Sequence, residues 1–130
     1  MDRLFLDANI LFSAAYRPGA GLLQLWKLKQ VELYSSHYAL AEAEANLTDA
    51  DQRQRLRNLS EALHLAEAGS EKLPHGLTLP EKDAPILLAA IAARATHLLT
   101  GDVRHFGRYF GTKIGGLTIL LPGLYLKTRK

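Results

Sequence analysis

Four acidic positions stand apart from the solvated acids of this chain. Asp7, Glu42 or Glu44, Asp83 and Asp102 each end an apolar run or sit on a mostly apolar helix. An ionised carboxylate in such surroundings is costly, and several that converge repel one another. A hard divalent cation held by oxygen is the usual remedy; magnesium in particular keeps several waters and takes only a few carboxylates. Such a site suits phosphodiester hydrolysis: the ion polarises the phosphoryl oxygen, lowers the pKa of the attacking water and, where a second ion is present, stabilises the departing oxygen. Taken singly, each acid also has a plainer reading. Asp7 and Asp83 have the form of helix caps, Glu42 and Glu44 of solvated helix residues, and Asp102 of a turn aspartate after Gly101. Their joint order along the chain is what accident does not readily supply.

The elements that must position these acids follow from hydrophobic periodicity. Residues 3–7 (Arg-Leu-Phe-Leu-Asp) predict a short buried strand ending on Asp7, and Ile10, Leu11 and Ala14 then take up helical spacing. Pro18, Gly19 and Gly21 mark a turn before a short helix through Leu22, Leu23, Leu25 and Trp26, and Val31–Ser35 reads as a second strand. His37–Leu47 predicts a helix with Leu40, Ala43 and Leu47 on one face. Another is expected from Asp49 to about Ala68, with Leu56, Leu59, Leu63 and Ala66 on one side and Gly69 as its stop. The loop to Pro80 allows at most one short strand, near Lys72. Asp83-Ala84-Pro85 has the composition of a helix start, opening an apolar, buried helix over Pro85–Arg94. His97–Thr100 is then a strand, Gly101-Asp102 a turn, Val103–Tyr109 a short helix and Leu117–Leu121 a last strand. Strands alternating with helices imply a parallel sheet covered on both faces. Ligands of such sheets bind at the carboxyl ends of the strands, where the strand order reverses. Asp7 and Asp102 are expected there.

With 130 residues, 48% of them apolar, the chain has material for a genuine core, and a single domain over 1–130 is expected, its tail disordered from about residue 126. It has no cysteine, which excludes disulfides and thiolate metal sites. The five histidines, His37, His64, His75, His97 and His105, are too far apart in sequence for a local zinc motif. Neither a run of about eighteen apolar residues nor a charged-then-apolar leader is present, so the expectation is a cytoplasmic protein without membrane association. A formal charge of +3 is compatible with a polyanionic partner. Arg104, His105 and Arg108 would flank the acidic pocket, where the arginines could bind substrate phosphates; an ordinary basic helix face explains them as well. Trp26 and Tyr38 read as core or interface residues.

Leu6-Asp7-Ala8-Asn9, Leu40-Ala41-Glu42-Ala43 with Leu47, Lys82-Asp83-Ala84-Pro85 and Leu99-Thr100-Gly101-Asp102 resemble, in that order, the motifs of PIN domains, and Phe106 falls where that family has an aromatic. The resemblance runs from Leu4 to Pro122. It implies a three-layer α/β/α sandwich around a parallel sheet of about four to five strands. It also implies a magnesium or manganese site and endoribonuclease activity on RNA, frequently as the toxin of a bacterial toxin–antitoxin pair. By the same resemblance Asp7, Glu42, Asp83 and Asp102 would ligate metal or orient the attacking water, with Asn9 and Thr100 supporting them through hydrogen bonds. Glu44 lies nearer the Leu40, Ala43, Leu47 stripe, whereas the family's spacing, apolar residues two before and one after the acid, selects Glu42. Many relatives carry a further acid shortly after the position of Asp102; here Val103, Arg104 and His105 follow, which leaves open whether one metal or two are held. Homodimerisation is implied too, as is an antitoxin that covers the acidic cleft.

Two other functions fit parts of the pattern. A receiver-type or phosphatase-type phosphoryl-transfer domain also gathers aspartates and a threonine at strand ends. It needs an acidic pair or Asp-x-Asp after the first strand and a lysine at a later strand end, where this chain has Asp7-Ala8-Asn9 and no lysine so placed. A non-catalytic module of the same fold, docking RNA or protein only, would have no reason to keep such costly like charges together.

Overall fold

The structure, a computed structural model, describes residues 1–69 and 72–129. The first strand, β1 (Asp2–Leu6), leads directly into α1 (Ala8–Tyr16), with Asp7 as the cap between them. A 3₁₀ helix (Gly21–Lys27) follows, then β2 (Val31–Ser35), α2 (His37–Asn46), capped by Ser36, and α3 (Ala50–Ser60), opened by a reciprocal capping box of Asp49 and Gln52. Beyond these lie β3 (Leu63–Leu65), α4 (Ala84–Ala92), β4 (His97–Leu99) and α5 (Val103–Phe106), which continues as a 3₁₀ turn (Gly107–Tyr109). The chain then forms β5 (Lys113–Ile114), β6 (Leu117–Leu120) and α6 (Pro122–Thr128).

The strands make one sheet in the order β3-β2-β1-β4-β6-β5, flanked by helices. All neighbours are parallel except β5 and β6. Leu4, Phe5 and Leu6 are all fully covered. Because successive strand side chains point to opposite faces, such burial requires packing on both sides of the sheet. Leu98 and Leu99 of β4 and Leu117 and Ile119 of β6 extend this core. The chain order reverses between β1 and β4, and the register Leu6↔Leu99 aligns the ends of those two strands. The Asp7 amide donates to the Leu99 carbonyl at 3.1 Å, so Asp7 and Thr100 leave the sheet side by side.

Several expectations are corrected. The helix expected to reach about Ala68 ends at Ser60, and Leu63–Leu65 instead pairs in parallel with Leu33–Ser35 of β2. Leu59, Leu63 and Ala66 do have helical spacing, but the open edge of β2 offers a ladder of hydrogen bonds that local periodicity cannot outweigh. The sheet accordingly has six strands, not four to five. The additional β5 comes from a tight hairpin in which Gly115 and Gly116 both take positive φ, 59° and 82°, the backbone a two-residue turn requires. The tail expected to be disordered from about residue 126 is helical to Thr128, and Arg129 donates to the Lys29 carbonyl at 2.9 Å. Lys72 and its described neighbours form no strand, while Ser70, Glu71 and Lys130 lie outside the described residues. Arg55 of α3 donates to the carbonyls of Ala15 and Tyr16 and so closes the end of α1. No helix among the described residues is long and apolar enough to cross a membrane.

Leu98→Ala should lower the unfolding free energy by about 3 kcal/mol, because it leaves a cavity in the middle of the core. Leu65→Ala, on the half-open edge strand, should cost less than about 1 kcal/mol. Urea unfolding of the two variants checks this, and equal losses would contradict the placement of β4 inside and β3 outside.

Candidate active site

Asp7 is buried at the end of β1, and each of its oxygens has partners. Oδ1 accepts from the Ala8 amide at 2.7 Å, while Oδ2 accepts from Thr100 Oγ1 at 2.8 Å and Asn9 Nδ2 at 3.1 Å. Thr100 Oγ1 also accepts from Asn9 Nδ2 at 3.2 Å and from the Asp102 amide at 3.1 Å, so its one donor and both lone pairs are used. Asn9 Oδ1 in turn accepts from the Gly101 amide at 2.7 Å. The absence of a side chain at Gly101 matters here, since a Cβ would lie 3.3 Å from that oxygen. Asp7, Asn9, Thr100 and the turn to Asp102 therefore form one fully satisfied unit across the β1/β4 junction.

Asp83 behaves differently. It stands where a cap of α4 would, yet its side chain makes no capping hydrogen bond. Although only 7% of the residue is exposed, its Oδ2 is buried without a hydrogen-bond partner. His105 Nδ1, equally unpartnered, lies 2.8 Å from that oxygen and 2.8 Å from Oδ2 of Asp102, in an alignment that meets hydrogen-bond geometry with neither. Asp102 Oδ1 accepts from the His105 amide at 3.0 Å and caps α5, which leaves Oδ2 turned toward Asp83. One ligand atom from each of Asp83, Asp102 and His105 falls within 4.8 Å of the others. A buried carboxylate beside a second carboxylate and an imidazole, with no well-aligned hydrogen bond among the three, fits a divalent cation.

Asp7 and Glu42 lie outside that tight set but within its field. Burial pushes the Asp7 carboxyl up from 3.8 to about 6; donation from Thr100 and Ala8 opposes this, and the charges of Asp83 and Glu42 add to it. Asp83 is also raised, first by burial, with His105 pulling it back and Asp102 pushing it further. Tyr38, read as a core or interface residue, is partly exposed at this site. Its hydroxyl donates to the Lys82 carbonyl at 2.7 Å, tying α2 to the start of α4, and burial plus Glu42, Asp83 and Asp7 raise its pKa.

A cleft of about 970 Å³ is lined in part by Asn9, Glu42, Lys82, Gly101, Asp102 and Lys127; Asp7, Asp83 and His105 lie outside its lining. Glu42 reaches it from α2, whereas Glu44 is not among the lining residues. Arg104 and Arg108 are exposed and also absent from the lining, and Arg108 instead lies 6.0 Å from the ring centre of Tyr109. The cations of the cleft are Lys82 and Lys127. Sequence reasoning missed both, Lys127 because α6 was taken for loose tail. His105 was seen only as a flanking cation.

The Asp7 shift has a stability consequence. A folded-state pKa above the unfolded one means that the fold holds this proton more tightly. That stabilisation is full below about pH 4, is lost as pH rises through about 6, and amounts to about 3 kcal/mol for a shift of about two units. In EDTA, urea unfolding of wild type and Asp7→Asn should therefore diverge with pH, the variant gaining on wild type by up to about 3 kcal/mol between about pH 4 and 7. A difference that stays constant would show that Asp7 ionises without strain.

A family signature described as PIN domain matches residues 3–104. No curated protein sequence matches the chain. Among solved structures, a chain of VapBC2 from Rickettsia felis, bound to a DNA fragment from their promoter, matches with TM-score 0.62 at 20% identity, covering 90% of this chain and 96% of that one. A chain of FitAB bound to an IR36 DNA fragment matches with TM-score 0.52 at 17% identity, over 92% and 94% of the two chains. At those identities the likeness is one of fold. The family signature, by contrast, runs from β1 into α5, and on it the chain belongs to the PIN domain family.

Proposed function

We propose that this protein is a divalent-metal-dependent endoribonuclease, with magnesium or manganese as its ion, acting in the cytoplasm as the toxin of a toxin–antitoxin pair. The observation that carries the reading is the meeting of buried Asp83 with Asp102 and His105, one donor atom of each within 4.8 Å of the others. Membership of the PIN family supports nuclease chemistry. A cleft with acids and with Lys82 and Lys127 in its lining suits a substrate that is itself a polyanion.

In this reading Asp83 and Asp102 hold the ion, Glu42 reaches it from the cleft wall, and Asp7 orients the attacking water. A bound divalent ion supplies positive charge to the phosphoryl oxygen and lowers the pKa of water. Asn9 and Thr100 keep Asp7 in one rotamer by the hydrogen bonds they donate to Oδ2. Lys82 and Lys127 hold phosphates flanking the scissile one, and Arg104 and Arg108 would meet the RNA only outside the cleft. Both named fold neighbours, VapBC2 and FitAB, are assemblies on DNA. This favours a protein partner, an antitoxin with its own DNA attachment, and a homodimer of the present chain belongs to the same reading.

Purified protein should cleave mixed-sequence RNA in magnesium or manganese and not in EDTA, with a matched DNA as control. Asp83→Asn, Asp102→Asn and Glu42→Gln should each lower the rate by about 100-fold, while Glu44→Gln should leave it unchanged. RNA binding without cleavage under every condition would make the protein a docking module instead.

A further inference from the structure

We propose that His105 is itself a metal ligand, so that Asp83, Asp102 and His105 form a mixed oxygen–nitrogen donor set that prefers manganese to magnesium. This rests on the reading that the cleft holds a divalent cation, and it names a ligand that the set of acids does not include.

The geometry is the first argument. Nδ1 of His105 is 2.8 Å from one oxygen of each aspartate, yet it aligns a hydrogen bond with neither and is buried. An imidazole acting only as a donor would aim its N–H at one oxygen. Here the nitrogen lies equally close to both oxygens, and one donor atom from each of the three residues falls within 4.8 Å of the others. With its proton on Nε2, the ring presents the Nδ1 lone pair toward the two carboxylates.

The local backbone is the second argument. Asp102 Oδ1 accepts from the His105 amide at 3.0 Å, so the first turn of α5 fixes the two residues relative to each other and leaves Asp102 Oδ2 and His105 Nδ1 on the same side. Asp83 contributes from α4 because it does not spend its oxygens on capping that helix. Charge is the third. With Asp7 and Glu42 in the same field, the site already gathers several negative charges, and a neutral imidazole adds a donor without adding to their repulsion. The absence of a further acid just after Asp102 is thereby accounted for.

A nitrogen donor has a consequence for metal choice. Magnesium favours oxygen ligands and dehydrates reluctantly, while the first-row transition ions, of which manganese is the weakest binder, accept a nitrogen donor more readily. Manganese-loaded wild type should show ¹⁴N coupling by pulsed electron paramagnetic resonance, replaced by a ¹⁵N pattern when the protein is labelled with [¹⁵N]histidine. The coupling should vanish in His105→Ala and His105→Gln. Calorimetry should give a manganese affinity about tenfold weaker in both variants, with a smaller loss for magnesium. Manganese binding to wild type without histidine coupling, or tighter binding to His105→Ala, would overturn the proposal and leave the nuclease reading standing, with His105 only a counter-ion. If wild type binds neither ion, both readings fall together. The labelling experiment needs no variant, so a folding defect at position 105 cannot mask the result.

Discussion

One hydrogen bond beyond the β1–β4 ladder sets the geometry of the site. By donating to Leu99, the Asp7 amide continues the parallel register one residue past the strands, where the two chains would otherwise diverge. Asp7 and Thr100 are thereby held in contact just where the sheet's order reverses and a crevice must open. Everything above depends on that alignment: Asn9 can bridge from α1 to Gly101 only because the two strand ends are level. A slip of one residue would turn Thr100 to the opposite face and leave Asp7 buried without its donors.

The site divides its acids by how they are satisfied. Asp7 is compensated by the protein itself, through three donors, although burial still raises its pKa. Asp83 makes no capping bond, and what offsets its burial is chiefly His105, whose Nδ1 lies 2.8 Å from Oδ2. Buried polar atoms without partners are rare in native proteins and call for an explanation. At Asp83 the feature to explain is the close approach of His105 and Asp102 without an aligned hydrogen bond. At Asp7 and Asp83 alike, burial holds the carboxyl above its ordinary range, so ionisation of either costs stability.

Much of this was readable from residue order. Asp7 and Asp102 follow apolar runs and precede helices, a pattern that forces them to strand ends, and the four motifs together named the fold family. Other features depend on distances that sequence does not encode. Leu63–Leu65 has helical spacing with Leu59 and becomes a strand only because β2 needs a neighbour. Gly115-Gly116 was a hairpin signal that went unread between two residues too few to look like a strand. His105 needed the approach of α4 to α5, elements separated by β4, to be seen as more than a basic side chain. Lys127 enters the cleft because α6 is anchored, with Tyr125 buried and donating to Asp2 at 2.6 Å.

The sheet ends on both sides in very little strand. β3 has three residues and β5 two, and the latter turns back on β6 through paired glycines. Such stubs offer too few free backbone groups to template another chain, which is how natural sheets avoid growing edge to edge. Two copies of this protein brought together at high concentration therefore have no ribbon to extend. Short edges of this kind leave side chains, more than backbone, as the means of recognition at the sheet's margins.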